Sequence, residues 1–268
     1  MFENLLYQNA SSLLKADILN NRLPGAILLS GPAASGKLTC ALEIARILSC
    51  SGVNQYNQRG HWLCDCPSCK RNKELTNTNV LLAGPRDCSL EILAAKKAFL
   101  QAAFDNSSFL GAVRYLFIRS VRKLTLRFSQ VLWEGDDKLP KFAQIIANID
   151  EELEKLNPEK SLPDTEKLEK ICDSIIKDAQ KLESSFMYDS LPINQIRRVS
   201  VWAHLKSVSG KKIFIIENAE RMLESVRNAL LKILEEPPED MVFILTTSNR
   251  GAVMPTILSR VRTYNFVE

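Results

Sequence analysis

The chain reads as an α/β protein: a parallel sheet carrying a phosphate-binding glycine loop, interrupted by a helical insertion. Three observations predict this. First, wholly apolar runs of strand length stand at Ala26-Ile27-Leu28-Leu29 and over 80–82, 213–216 and 242–245, the pattern of strands buried on both faces. Second, Gly31-Pro32-Ala33-Ala34-Ser35-Gly36-Lys37 follows the first run at once and opens a helical pattern. Third, between Pro85 and Leu191 the apolar residues fall into helical periods.

Composition bounds the function classes. With 268 residues the chain can bury a sizeable core, and 46% apolar against 25% charged excludes a mainly disordered or fibrous chain. Lys plus Arg at 35 against Asp plus Glu at 31 leaves a net charge of +4, too little to announce nucleic-acid binding. No apolar run approaches the roughly 18 residues a membrane helix needs, and the N-terminus carries an acid where a signal peptide has positive charge. No membrane partner and a cytoplasmic location are expected.

In chain order, Leu5, Leu6, Leu13, Leu14, Ile18 and Leu19 mark a first helix with an apolar face, closed by Asn20-Asn21 and Pro24. After the glycine loop, Ala41, Leu42, Ile44, Ala45, Ile47 and Leu48 form the second helix. In the insertion, Phe117, Val121, Leu124, Phe128 and Val131 step by four and three, with Arg119, Lys123 and Arg127 on another face. That basic face is a solvated surface or, alternatively, a nucleic-acid or partner contact. From Asp150 to Glu183 a thin stripe of Leu153, Leu156, Leu168, Ile171, Ile175 and Ile176 runs through mixed charge, broken at Pro158 and Pro163.

The glycine loop carries the first chemistry. A phosphate needs backbone N–H groups aimed inward, which a glycine-rich turn before a helix provides, and Lys37 adds a point charge. A hydroxyl directly after the lysine would hold Mg²⁺; Leu38 stands there, with Thr39 one place late. One helical residue is about 100° of rotation, so Thr39 points its hydroxyl away from the metal. Nucleotide binding is therefore expected, while ATP with Mg²⁺ is weakly supported and hydrolysis is not. The strand over 213–216 ends in Glu217, where nucleoside triphosphatases place a carboxylate near the metal. The next residue is Asn218, whose amide can orient a water but cannot take its proton; Glu220 is the alternative acid.

Seven cysteines are too many and too odd in number for simple pairing, and Cys64, Cys66 and Cys69 crowd together, which points to metal ligation over disulfides. Cys40, Cys88 and Cys172 read as packing residues. Leu234-Glu235-Glu236-Pro237-Pro238 is odd in another way. Two carboxylates at a helix C-terminus oppose the helix dipole, so they call for a contact outside the helix, unless they are solvated acids at a frayed end.

Taken in this order, the motifs resemble the ATPase module of bacterial DNA polymerase III clamp loaders, in the AAA+ superfamily. The resemblance covers residues 1–84 and 192–268 and rests on Asn21-Arg22-Leu23-Pro24, the glycine loop, the cysteine cluster, the segment from Asn228 to Pro238, and Ile257-Leu258-Ser259-Arg260. It implies an AAA+ P-loop domain split by an insertion at 85–191, with a small zinc-binding module at about 50–69. Cys50 joins Cys64, Cys66 and Cys69 as a structural Zn²⁺ set. Cys64 stands one residue closer to Cys66 than in the family, and His61 is the alternative ligand. The resemblance also makes Arg260 an arginine finger reaching a neighbour's γ-phosphate, although Val261 replaces the family's cysteine. Thr247, beside Thr246, matches its γ-phosphate sensor, and Gly25 replaces a histidine usual before the first strand.

The family has ATP-hydrolysing gamma/tau motors and a delta-prime subunit that mostly does not hydrolyse. Leu38 and Asn218 favour delta-prime, a subunit helping to load the sliding clamp onto primed DNA with gamma/tau and delta as partners and its own ATPase weak or absent. The alternatives are a gamma/tau-type motor and a stand-alone P-loop kinase using the insertion as a lid. The family's lid and collar domains would follow Phe266, so the chain is expected to be a fragment or a shortened subunit.

Overall fold

The computed structural model describes residues 1–5, 7–52, 59–207 and 210–267. Leu6 of the first helical pattern, positions 53–58 of the expected zinc module and the terminal Glu268 lie outside the described residues. The chain forms two compact units, one from Met1–Pro85 with Asp189–Glu268 and one from Arg86–Tyr188.

The first unit opens with α1 (Asn9–Leu19), β1 (Ala26–Ser30), α2 (Lys37–Ser49), α3 (Pro67–Lys73) and β2 (Val80–Ala83). The second contains α4 (Ser89–Phe104), α5 (Leu110–Thr125), α6 (Gln130–Trp133), α7 (Leu139–Lys155) and α8 (Thr165–Phe186). The first then resumes with α9 (Ile193–His204), β3 (Lys212–Ile216), α10 (Glu224–Glu235), β4 (Met241–Thr247), α11 (Pro255–Leu258) and β5 (Arg262–Asn265).

The five strands make one sheet in the order β2-β3-β4-β1-β5, with every pairing parallel. Every residue of β1 through β4 is buried, which explains their unbroken apolar runs; on the edge strand β5 only Tyr264 is. Because all strands point the same way, the residues that follow β1, β3 and β4 emerge at one end of the sheet, where ligands gather in α/β folds. Ser30 pairs with Thr247 and Ile216 with Leu245 at that end.

The first helix differs from the expected apolar pattern. It begins at Asn9, after Leu5, and buries Ala10, Leu14 and Asp17 while Leu13 and Leu19 are exposed. The physical reason is a polar anchor: the Tyr264 hydroxyl donates to Asp17 Oδ2 at 2.6 Å and Arg262 Nη2 pairs with the same oxygen at 2.8 Å. Gly25, at the position of the family histidine, is set by packing. A Cβ there would lie 2.5 Å from Cγ of Pro237.

In the helical unit, Phe117, Val121, Leu124 and Phe128 are buried as the stepping pattern requires, but the helix stops at Thr125 and Val131 is half-buried on α6. The basic face is not simply solvated. Arg127 is buried, Lys123 forms an ion pair with Glu91 that also takes Arg86 at 2.7 Å, and Arg119 lies over the Tyr115 ring. On α8, Cys172 is buried and Ile171 half-buried. Phe128, Trp133, Phe142, Phe186 and Tyr188 form a cluster of stacked and edge-on aromatic rings. The start of α4 is capped from α8: the N–H groups of Cys88 and Ser89 donate to the Glu183 carboxylate at 2.6 and 2.9 Å.

Candidate functional site

The glycine loop joins β1 to α2 at that same end of the sheet. Gly31 is demanded by a neighbour in the fold, since a Cβ would lie 2.6 Å from the carbonyl oxygen of Phe266. Gly36, with φ of 87°, precedes the helix and supplies no capping side chain. The first intrahelical acceptor is thus Gly36 O, taken by Cys40 N at 2.8 Å, and the preceding N–H groups form an uncapped, positively polarised helix end. Lys37 is turned onto its own loop: Nζ donates to Gly31 O at 2.8 Å, to Pro32 O, and to Ser35 Oγ at 3.3 Å. Burial pushes its pKa below the usual lysine value, while Glu220 and Glu217 pull it back up. Leu38 is buried and Thr39 half-buried. Ala33 and Ala34 at the tip are exposed.

Glu217 follows β3 and is buried. Asn218 has a left-handed backbone, and its Nδ2 donates to Pro85 O at 2.6 Å, which occupies the amide within the chain. Glu220 sits on a short 3-10 turn (Ala219–Arg221) and reaches the end of β4: Oε1 accepts from Ser248 N at 3.2 Å and Ser248 Oγ at 2.8 Å. Burial works against its charge, but bonds from Thr247 and Ser248 hold its carboxyl below the usual range. Its Oε2 is buried with no hydrogen-bond partner among the described residues. Thr247 is fully buried and its Oγ1 accepts from Asn249 N at 3.1 Å. The link from Glu220 to Ser248 spans 28 positions, so nothing along the chain announces it.

Arg260 follows α11 and makes its contacts to this chain. Its Nε donates to Glu235 Oε1 at 2.9 Å, Nη2 donates to the same oxygen, and Nη1 donates to Thr256 O at 2.8 Å and Ser259 Oγ at 3.3 Å. One of the two paradoxical acids at the end of α10 therefore has its outside contact, while Glu236 is exposed.

The sulfur atoms of Cys50, Cys64, Cys66 and Cys69 all lie within 4.8 Å of one another. A tetrahedral ion with Zn–S bonds of about 2.3 Å needs sulfurs about 3.8 Å apart, and Cys50 and Cys64 stand at 3.7 Å. The short Cys64–Cys66 spacing does not prevent convergence, because Cys66 caps the start of α3, where Cys69 N donates to its sulfur at 3.4 Å. His61 is outside this group. Burial opposes the Cys66 thiolate, yet backbone N–H bonds from Cys69 and Ser51 bring its pKa down to about 6. Burial and the adjoining thiols push Cys64 up. Four converging thiols fit a metal, which would favour the deprotonated forms.

Behind the cluster lies a residue the sequence did not flag. Arg46 is 1% exposed and uses all five of its N–H groups: Nε and Nη2 on Glu43 at 2.9 and 2.5 Å, Nη2 on Gly60 O at 2.8 Å, and Nη1 on His61 O at 3.0 Å and Cys69 Sγ at 3.2 Å. The available signal was an acid and a base three apart on an otherwise apolar helix. Trp62 lies between two cations, Arg46 at 5.3 Å and Lys73 at 5.2 Å from its ring centre, and Lys73 Nζ also holds Cys64 O at 3.1 Å. Among the described residues, no helix is long and apolar enough to cross a membrane.

Comparison with known proteins finds similarity to subunits of DNA polymerase III. A DNA polymerase III gamma/tau subunit of Mycobacterium bovis is 46% identical over 58 residues, 22% of this chain and 10% of that protein. A delta' subunit of Haemophilus influenzae is 34% identical over 74 residues, 27% of this chain and 23% of that protein. The matches thus span less than a quarter of these relatives' length. A solved gamma subunit-related protein of Thermotoga maritima is 36% identical over 28% of this chain and 25% of its own, with a TM-score of 0.26, too partial a match to bear on the fold. The family described as "DNA polymerase III, delta subunit" matches residues 7–133 and 129–268, nearly the whole sequence, and the chain belongs to that family.

Proposed function

We propose that the chain is a delta-prime-type clamp-loader subunit of DNA polymerase III. It hydrolyses no ATP itself and donates Arg260 to the nucleotide site of a neighbouring gamma/tau motor, in a complex with delta that loads the sliding clamp onto primed DNA. The observation that carries the reading is Leu38, a buried side chain at the position where a hydrolase needs a metal-holding hydroxyl. Asn218 supports it, its amide bound to Pro85 O. Lys37 and the uncapped start of α2 retain the chemistry to bind a phosphate weakly, once Lys37 leaves its own carbonyls. Gly31 to Lys37, the backbones of Leu38 and Thr39, and Thr247 would line such a nucleotide. Cys50, Cys64, Cys66 and Cys69 would hold Zn²⁺, which supplies structure there by tying the end of α2 to the start of α3.

Two measurements test this. The purified chain is expected to show no ATP turnover, and robust turnover with saturating clamp and primed DNA would sink the delta-prime assignment. In a reconstituted loader, Arg260→Ala is expected to lower ATPase activity by orders of magnitude; unchanged activity removes the finger. One observation favours a motor reading instead: the Glu220 carboxylate, with a buried oxygen that has no hydrogen-bond partner among the described residues, pulls the pKa of Lys37 up against its burial. Glu220→Gln separates the two, because it abolishes turnover only if the chain is itself a motor.

A further inference from the structure

We propose that Glu235 is a positioning residue that presents Arg260 to the neighbouring nucleotide site, a role that rests on the finger reading above. Glu235 ends α10, where its charge opposes the helix dipole, so the acid serves something other than its own helix. Its partner is Arg260, 25 positions later, which sets both Nε and Nη2 on a single oxygen, Oε1. Thr256 O and Ser259 Oγ take Nη1. Four of the five N–H groups of a guanidinium are thereby engaged, and one N–H on Nη2 stays outside these contacts. An arginine alone has a long, mobile stem; here both ends of its fork are clamped by this chain. The clamp is also open to solvent. The Arg260 side chain is 28% exposed and that of Glu235 51%, and an ion pair so exposed adds little to stability. What it supplies is orientation, holding the cation ready for a phosphate presented by another chain.

The test uses the reconstituted loader with ATP, comparing Glu235→Ala, Glu235→Gln, Arg260→Ala and the Glu235→Ala/Arg260→Ala double variant. Glu235→Ala should lower kcat about tenfold to a hundredfold with KM for ATP unchanged. Glu235→Gln, which keeps the accepting oxygen, should recover most of that loss, and the double variant should match Arg260→Ala alone. Wild-type kcat in Glu235→Ala beside an impaired Arg260→Ala overturns the role of Glu235 and leaves the finger standing. A further loss on adding Glu235→Ala to Arg260→Ala also overturns it. Normal activity in Arg260→Ala removes both.

Discussion

Replacing Arg46 with Met removes the centre of a buried site in which one guanidinium makes five hydrogen bonds. Glu43 and Arg46 are 2% and 1% exposed, so the substitution leaves a carboxylate in the interior with both of its bonds from Arg46 gone. Breaking a buried pair from one side costs about 3–5 kcal/mol, because the desolvated charge left behind is uncompensated. The Gly60 and His61 carbonyls and the Cys69 sulfur lose their donors as well. For a unit of this size the loss corresponds to a fall of about 6–20 °C in Tm. Glu43→Leu/Arg46→Met removes both charges while keeping the volume apolar, and should recover the part of the loss that comes from the stranded Glu43 carboxylate, leaving the smaller cost of the unpaired Gly60 and His61 carbonyls. Thermal and urea unfolding of the three proteins reads the effect. A single variant less than about 1 kcal/mol below wild type, or a double variant as damaged as the single, would refute the reasoning. Zinc retention is a second readout, because loss of a group that orients a metal ligand weakens metal binding about 10–100-fold.

Three further outcomes follow from the same geometry. Purified chain should carry one zinc by elemental analysis, and Cys69→Ser should lose it together with part of the fold around α3; equal metal content in both proteins excludes the four-thiolate site. Glu183→Ala leaves Cys88 and Ser89 without their acceptor at the start of α4 and should cost about 0.5–2 kcal/mol, with hydrogen exchange faster at those two amides; unchanged exchange there refutes the cap. Burial opposes the Glu91 charge, but Lys123 and Arg86 outweigh it and hold its carboxyl below the ordinary 4.5. The stability it contributes is therefore complete above pH 4.5 and is lost as the pH falls through the lowered value. Glu91→Gln should flatten acid unfolding in that window, and an unaltered profile would show that the pair contributes nothing.

Much of the fold was legible along the chain because its cause is local. A strand buried on both faces is apolar along most of its length, with polar residues confined to its ends, so β1 through β4 announce themselves. The glycine loop is equally local: strand, turn and helix start lie within a dozen residues, and Leu38 next to Lys37 speaks to metal binding before any contact is known. The partners of the basic row were not legible for the opposite reason. Periodicity placed Lys123 and Arg127 on one face, but Glu91, which pairs with Lys123, comes 32 positions earlier on a different helix.

By itself the sequence determined the α/β class, the glycine loop between strand and helix, the crowding of cysteines and the family resemblance, all properties of short segments whose residues read one another along the backbone. Only the tertiary structure decided that Glu220 meets Ser248, that Glu235 clamps Arg260, that Arg46 spends every donor behind Cys69, and that Cys50 comes within reach of three thiols beyond it. These contacts arise where parallel strands and packed helices bring distant positions to one place. A charge or thiol carries no mark in the sequence of which partner the fold will set against it.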